Sequence, residues 1–325
     1  MELILIKINM NPIDFFDNLR FWGGKRNKIL DHFKIYGISN KIVELIANFY
    51  LPIYFSVTKN KKKYSLTKST EKKDVIVSLT SFPKRLPTLY LVIESLLRQS
   101  IKPDKIILYL TESQVSDIEK LPKKLLAQRK RGLEIRLCPD EIRSHTKYYY
   151  AFKEFPESIV ITVDDDLFYK SDLIETHLNN AKKYPNTIIA NWVKEIIPGK
   201  YKYTEWPDLT YTPILSKNLL ILGVSSVLYP PYSVHNDIFN VDNIKDLTLT
   251  ADDIWLTAMI LKKGTSVFYS AYKFNHLPIR IKNNETLISV NYERNQKCID
   301  NINGFYQSTG EQRPFIDIPF KNQNE

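Results

Sequence analysis

Three consecutive carboxylates, Asp164, Asp165 and Asp166, follow directly on the run Ser158-Ile159-Val160-Ile161-Thr162-Val163. That run is apolar and β-branched, the composition of a buried strand, so the carboxylates stand at a strand's carboxyl end. Three negative charges so close repel one another unless a cation or a cationic ligand neutralises them. Carboxylate oxygens are the hard donors that Mg²⁺ and Mn²⁺ prefer, and these ions commonly share their shell with phosphates. In open α/β sheets, ligands bind outside the carboxyl ends of the strands. The chemistry that suits this feature is the grip of a metal–diphosphate complex. Two further groups carry reactive side chains: Arg143 with His145-Thr146-Lys147, and the pair Asp252-Asp253 opening a helical pattern that runs through Ile260. His32, His177 and His235 show no ligand spacing.

The elements that must position these residues begin at Asp74. Val75–Leu79 reads as a first strand, Thr80–Arg85 as a polar turn, and Leu86–Gln99 as a helix with apolar residues at helical spacing. Lys105–Leu110 and Leu133–Leu137 read as further strands, Ser113–Gln128 as a polar helix capped by Ser113, and Glu141–Phe155 as a tyrosine-rich helix. Tyr148, Tyr149 and Tyr150 point in different directions on that helix, which assigns at least one of them to packing. After the aspartates come an amphipathic helix near Ser171–Tyr184, a short strand Thr187–Ala190, and a polar, aromatic loop or hairpin Trp192–Tyr211. Leu219–Tyr229 reads as one apolar stretch with Gly223 inside, followed by a helix near Asp252–Lys262 and a last strand Val267–Ser270. Strands alternating with helices predict an α/β fold with a largely parallel sheet covered on both faces. The expected organisation is an N-terminal helical arm with a basic linker over residues 1–73, a catalytic domain over 74–282, and a polar C-terminal extension over 283–325 whose end, beyond about 310, is expected to be disordered.

A chain of 325 residues with 43% hydrophobic and 25% charged residues is an ordinary globular composition. Forty-six Lys and Arg against 36 Asp and Glu give a net charge of +10, which favours an anionic partner. No nucleic-acid-binding module is recognisable, so no nucleic acid partner is expected. Cys138 and Cys298 are too few for a disulfide framework or a zinc site and fit a reducing cytoplasm. The start, Met1-Glu2-Leu3-Ile4-Leu5-Ile6-Lys7, does not read as a signal peptide. Ile42–Val57 is apolar, and Lys59, Lys61, Lys62, Lys63, Lys68, Lys72 and Lys73 follow it against the single Glu71. Such a pattern either packs as an arm with a solvated linker or lies on an anionic membrane face. The expected location is cytoplasmic, peripheral on the inner face of the cell membrane.

The blocks VIVSLTSFPKR, HTKYYYAF, IVITVDDDLFY, LGVSSVLYPP and ADDIW occur in that order. Together they resemble the nucleotide-sugar glycosyltransferases of the GT-A type, a Rossmann-like fold, with a layout similar to bacterial polysaccharide and lipopolysaccharide transferases and more distantly to the exostosin catalytic domain. The resemblance covers residues 74–280. It matches the aspartate cluster to the family's DxD motif and implies that Asp166 ligates the metal, with Asp164 and Asp165 reaching ribose hydroxyls or metal-bound water and Asp164 a second candidate ligand. It also implies that Thr80, Ser81, Phe82 and Arg85 line the nucleotide, and that His276 adds a further metal ligand. One of Asp252 and Asp253, Asp253 preferred, would contact the acceptor and act as general base if the reaction inverts. Gly223, Val224, Ser225 and Ser226 would form the close-approach segment between donor and acceptor. Lys147, with His145 beside it, would bring positive charge to the diphosphate. Trp192, Trp206 and Tyr211 offer an aromatic platform for a sugar ring, or ordinary loop packing.

The expected function is therefore a metal-dependent glycosyltransferase of bacterial surface polysaccharide synthesis. It would use Mn²⁺ or Mg²⁺, a nucleotide-sugar donor (a UDP-sugar foremost) and a glycan or lipid-linked glycan acceptor. The alternatives are a nucleotidyl- or phosphotransferase, disfavoured by the absence of a Gly-rich phosphate loop, and a non-catalytic glycan- or membrane-binding module on the same fold.

Overall fold

A computed structural model of the chain describes residues 10–20, 35–66, 74–280 and 288–317. Strands β1 (Val75–Thr80), β2 (Lys105–Thr111), β3 (Leu133–Cys138) and β4 (Ile159–Val163) alternate with helical segments, including α3 (Leu86–Leu96) and α4 (Thr146–Glu154). They are preceded by α1 (Pro12–Asn18) and α2 (Ile35–Thr58). The second half contributes α5 (Leu173–Lys183), β5 (Ile188–Ala190), β6 (Val193–Glu195), β7 (Ile214–Ser216), β8 (Leu219–Ile221), β9 (Ser226–Tyr229), α6 (Asp252–Lys263), β10 (Val267–Tyr269) and α7 (Ile288–Ser308). Eight strands form one sheet in the order β3-β2-β1-β4-β9-β5-β10-β7, while β6 and β8 pair separately. Only β9 and β7 run against the others, so the sheet is mostly parallel and Rossmann-like.

Alternation along the strands assigns the two faces. Val75, Val77 and Leu79 of β1 join α3, α5, α1 and α2 in one buried cluster. Ile76, with Tyr109 of β2 and Val160 of β4, packs with α4, α6 and α7 on the other. The chain winds from β1 to β3 in one direction and then returns to set β4 on the other side of β1. That reversal opens a crevice at the carboxyl ends of β1 and β4, where neither following loop can cover the other. Thr80 and the turn after it lie at one lip, and Asp164–Asp166 at the other.

Several elements differ from the sequence expectation. The polar segment Ser113–Gln128 is not one helix: Pro122 interrupts it, leaving a 3₁₀ turn at Ile118–Lys120 and a single helical turn at Lys123–Leu126. The apolar stretch Leu219–Tyr229 divides into β8 and β9, which enter different sheets, and the link between them brings Gly223 and Val224 into the crevice. Trp206 is not a platform; it is 1% exposed, stacks on Phe315 and donates to the Lys200 carbonyl. Beyond 310 the chain stays packed through residue 317, with Phe315 buried and Arg313 paired to Asp317. All three tyrosines of α4 are buried. Met1–Lys7, Lys68, Glu71, Lys72, Lys73 and residues 318–325 lie outside the described residues. Among those described, no helix is long and apolar enough to cross a membrane.

Candidate active site

A cleft of about 550 Å³ occupies the crevice. Three loops of the parallel half line it: the turn after β1 (Thr80, Ser81, Phe82, Arg85), the end of β2 (Thr111, Gln114) and the approach to α4 (Glu141, Arg143, Ser144). Lys147, Asp164, Asp165, Gly223, Val224, Asp252 and Asp253 close the floor and far wall.

Lys147 is the hub. Its ammonium lies 3.4 Å from Asp164 Oδ1 and 3.2 Å from Asp252 Oδ2, with the side chain only 9% exposed. One turn of helix sets this position, because the Ser78 hydroxyl of β1 donates to the Lys147 carbonyl and so pins the start of α4 to the sheet. Burial alone would pull the Lys147 ammonium down, but Asp252, Asp164 and Asp253 outweigh it and hold the group well above its ordinary range. Burial likewise opposes ionisation of Asp252, but Lys147 and His145 keep it below the usual carboxylate range.

Arg85 organises the acidic turn from the other side. Its guanidinium pairs with Asp165 and, at 3.1 Å, with Asp166 Oδ2, and lies 5.0 Å over the Phe82 ring. Ser81 Oγ donates to Asp165 Oδ2 at 2.6 Å. Asp164 accepts the Ser225 N–H on Oδ2 at 3.2 Å, and its own N–H donates to the Tyr169 hydroxyl at 2.6 Å. Burial, then the neighbouring Asp164, push Asp166 up to about 6 despite Arg85. Burial also raises Asp164 against the pull of Lys147.

Across the cleft, Asp253 Oδ1 accepts the Gly223 N–H at 2.8 Å. Burial and the adjacent Asp252 push Asp253 up to about 8. Gly223 is required by proximity: a Cβ there would stand 2.7 Å from Asp253 Oδ1 and 3.2 Å from Lys147 Nζ. Ser144 Oγ donates to Asp252 Oδ1 at 2.8 Å.

The remaining sequence candidates lie outside the cleft wall. His145 is fully buried beneath it, bonding the Tyr148 hydroxyl at 2.6 Å and the Thr248 carbonyl at 2.8 Å, and burial pulls its pKa below the ordinary imidazole value. His276 Nε2 bonds Ser225 Oγ at 2.8 Å, and the Ser225 N–H donates to Asp164. Burial pulls its pKa down to about 3. Trp192 and Tyr211 line a second cavity of about 440 Å³ together with Ser225 and His276. Thr111, Gln114, Glu141 and Ser144 escaped the sequence reading, since each is an ordinary loop residue until the sheet brings the loops together. The pair Glu141-Arg143, flanking the His145-Thr146-Lys147 block, was the one available signal.

The charges do not balance. With Asp166, and leaving out Asp253, which keeps its proton up to about 8, five carboxylates (Glu141, Asp164, Asp165, Asp166 and Asp252) meet three cations, Arg85, Arg143 and Lys147. Such a cleft has room for a divalent cation on electrostatic grounds. Among the described residues, no group of three or more His, Cys, Asp or Glu side chains is placed to hold a metal ion. A cation here would thus take a minority of its ligands from the chain, the usual condition of Mg²⁺ beside a phosphorylated ligand.

Comparisons with protein families and with curated proteins give no match. Solved structures do resemble the chain. A mannosyltransferase from Pyrobaculum calidifontis in complex with GDP-Man and Mn²⁺ is 13% identical with a TM-score of 0.44, covering 85% of this chain and 78% of that one. A UTP-bound UGPase from Acinetobacter baumannii is 11% identical with a TM-score of 0.36, over 61% of this chain and 85% of that one. CMP:2-keto-3-deoxy-manno-octonic acid synthetase complexed with CTP is 13% identical with a TM-score of 0.36, over 61% and 88%. Likenesses this faint carry no weight for activity, which leaves strand order and side-chain geometry as the grounds for any reading of this cleft.

Proposed function

We propose that the chain is a divalent-cation-assisted glycosyltransferase of bacterial surface polysaccharide synthesis, moving a sugar from a nucleoside diphosphate sugar, a UDP-sugar foremost, to a hydroxyl of a glycan or lipid-linked glycan. The observation that carries this reading is the double ion pair of Lys147. One buried ammonium joins the acidic turn after β4 to the acidic start of α6 across a cleft at the sheet's switch point.

In this reading the half-exposed Phe82 ring stacks on the base, beside the hydroxyls of Thr80 and Ser81. Asp165, held by Ser81 and Arg85, orients the guanidinium toward the diphosphate. Lys147 and Arg85 set fixed positive charge where the leaving group gains negative charge, and they need no reorganisation as it departs. Asp164 and Asp166 would hold the cation, which supplies Lewis-acid neutralisation of the leaving diphosphate. Asp253, with its proton affinity close to neutral pH, takes the proton of the incoming hydroxyl as that oxygen bonds the anomeric carbon and the bond to the diphosphate breaks. This course inverts the anomeric centre. The cavity lined by Trp192, Tyr211 and Tyr272 suits the acceptor sugar. In its wall the Asn191 Nδ2, buried and without a hydrogen-bond partner among the described residues, is a spare donor for a sugar hydroxyl.

Calorimetry with UDP-, GDP- and CMP-sugars, each with and without Mn²⁺, tests the proposal. Uptake that requires Mn²⁺ and is lost in Asp164→Asn and Asp166→Asn supports it; no uptake of any activated sugar refutes it. Release of pyrophosphate with transfer of the nucleotide would instead establish a nucleotidyltransferase.

A further inference from the structure

We propose that the outward face of α2, with the lysines that follow it, docks the protein on an anionic lipid bilayer. Eight of the eighteen exposed large hydrophobic side chains among the described residues lie on this one helix. Ile38, Ile42, Ile46, Phe49, Ile53 and Val57 recur at three- and four-residue steps, so at 3.6 residues per turn they share one stripe. Phe49 and Val57 are 74% and 75% exposed. The opposite side of the helix is also apolar, and there Ala47, Leu51 and Phe55 are buried against the core. Packing on the sheet explains only that second face. A stripe this long on a soluble surface marks a docking site.

Charge identifies the occupant. Glu44, the one carboxylate on the helix, is turned to Arg20 and Arg280. Immediately past the helix end, Lys59, Lys61, Lys62 and Lys63 are all exposed. A second copy of the chain would bring the same lysines and no counter-charge, whereas lipid phosphates supply it. An apolar face flanked by lysines, on a helix too polar to span, is the composition of a helix lying in the bilayer interface. The site is tied to this helix: Asn48 bonds the Pro278 carbonyl and the Arg280 N–H, and between them Ile279 N–H donates to the Asp166 carbonyl at 2.7 Å. Docking would hold the acidic turn at a fixed place relative to the lipid surface. The inference stands on α2 alone, whatever reaction the cleft performs.

The test is co-sedimentation of the full chain with vesicles of phosphatidylcholine alone and of phosphatidylcholine mixed with phosphatidylglycerol. Binding is expected only to the mixed vesicles, and added salt should release it. Replacing Lys61, Lys62 and Lys63 by Gln should lower partitioning about fivefold per lysine. Phe49→Ser with Ile53→Ser should lower it by about tenfold or more. Equal binding to both vesicle types, no binding to either, or a dimer in light scattering that the two serines dissolve would each overturn the proposal. The wild-type salt titration tests the charge component without any substitution.

Discussion

Replacing Lys147 by Met removes the ammonium while keeping most of the side chain's bulk, and so isolates the charge at the centre of the cleft. The ammonium stands 3.4 Å from Asp164 and 3.2 Å from Asp252, whose side chains are 25% and 14% exposed. At an effective dielectric of roughly 20, each contact represents about 4–5 kcal/mol of gross attraction, most of it offset by desolvating the ammonium. Deleting the cation leaves the carboxylates buried and unpaired, which costs about 3–5 kcal/mol while they remain charged. The sign with pH follows from their affinities. In the wild type Asp252 is held low, so its contribution is present above the ordinary carboxylate range and lost as pH falls through it. In the variant the strongest charge opposing burial is gone and both groups rise, so the folded state takes up protons and stability declines as pH rises. The gap between the proteins should therefore be larger at about pH 8 than at about pH 5. Urea unfolding at the two pH values measures it. Adding Asp252→Asn should destabilise the wild type yet restore stability to Lys147→Met, with a coupling of about 1–3 kcal/mol. A loss below about 1 kcal/mol, or one equal at both pH values, would refute the claim that Lys147 neutralises both acidic motifs.

Three further outcomes follow from the same geometry. Gly223→Ala puts a methyl 2.7 Å from Asp253 Oδ1 and should cost about 1–3 kcal/mol in thermal unfolding, with a loss of turnover larger than the loss of donor uptake. Asp253→Asn should leave calorimetric donor uptake unchanged while lowering transfer by about 10²–10⁴; the wild-type rate should rise with pH through about 8, and the variant should lose that limb. Asp17, which bonds the Asn275 N–H, is pushed up to about 6 chiefly by burial. Its folded form therefore holds a proton that the unfolded form releases, so it contributes a fall in stability as pH climbs from about 4 to 6, levelling above. Asp17→Asn should flatten that fall by about 2–3 kcal/mol in a series of melting curves.

What the sequence makes legible depends on the range of the interaction. The strand before Asp164 and the turn after β1 are written in local composition, and both stand where the parallel sheet brings strand ends together. The link from Lys147 to Asp252 spans 105 residues, and no local pattern announces it; the sequence suggested the lysine only as positive charge beside a diphosphate, not as the partner of Asp252. Gly223 gave an ambiguous signal, because a glycine inside an apolar run reads as a bulge in one strand. Here the chain changes sheets at that point and uses the bare backbone to approach Asp253. For Trp206 the packing reading holds over the platform one, and the sequence left the two open because its partner Phe315 lies more than one hundred residues away. Helix α7 was hidden by its asparagines, although Cys298, Ile299, Ile302 and Tyr306 keep the three- and four-residue spacing of a buried stripe.

The N-terminal segments bear on the site through hydrogen bonds rather than through side chains in the cleft. Asp17 of α1 accepts the backbone N–H of Asn275 and Asp14 that of Ser171, while Asn48 of α2 grips both Pro278 and Arg280. The contacts of Asp17 and Asn48 clamp the segment carrying His276, whose imidazole holds Ser225, and Ser225 in turn donates to Asp164. The same segment bonds the backbone of Asp166 through Ile279. Asp164 and Asp166 are thus held through Ser225 and Ile279, which the segment gripped by α1 and α2 positions, and Asp165 by Ser81 and Arg85 from within the cleft. Mutually repelling carboxylates need such restraint, because each gains by turning away from its neighbours. A force or a ligand acting on α2 therefore has a short, continuous path of hydrogen bonds to the acidic turn.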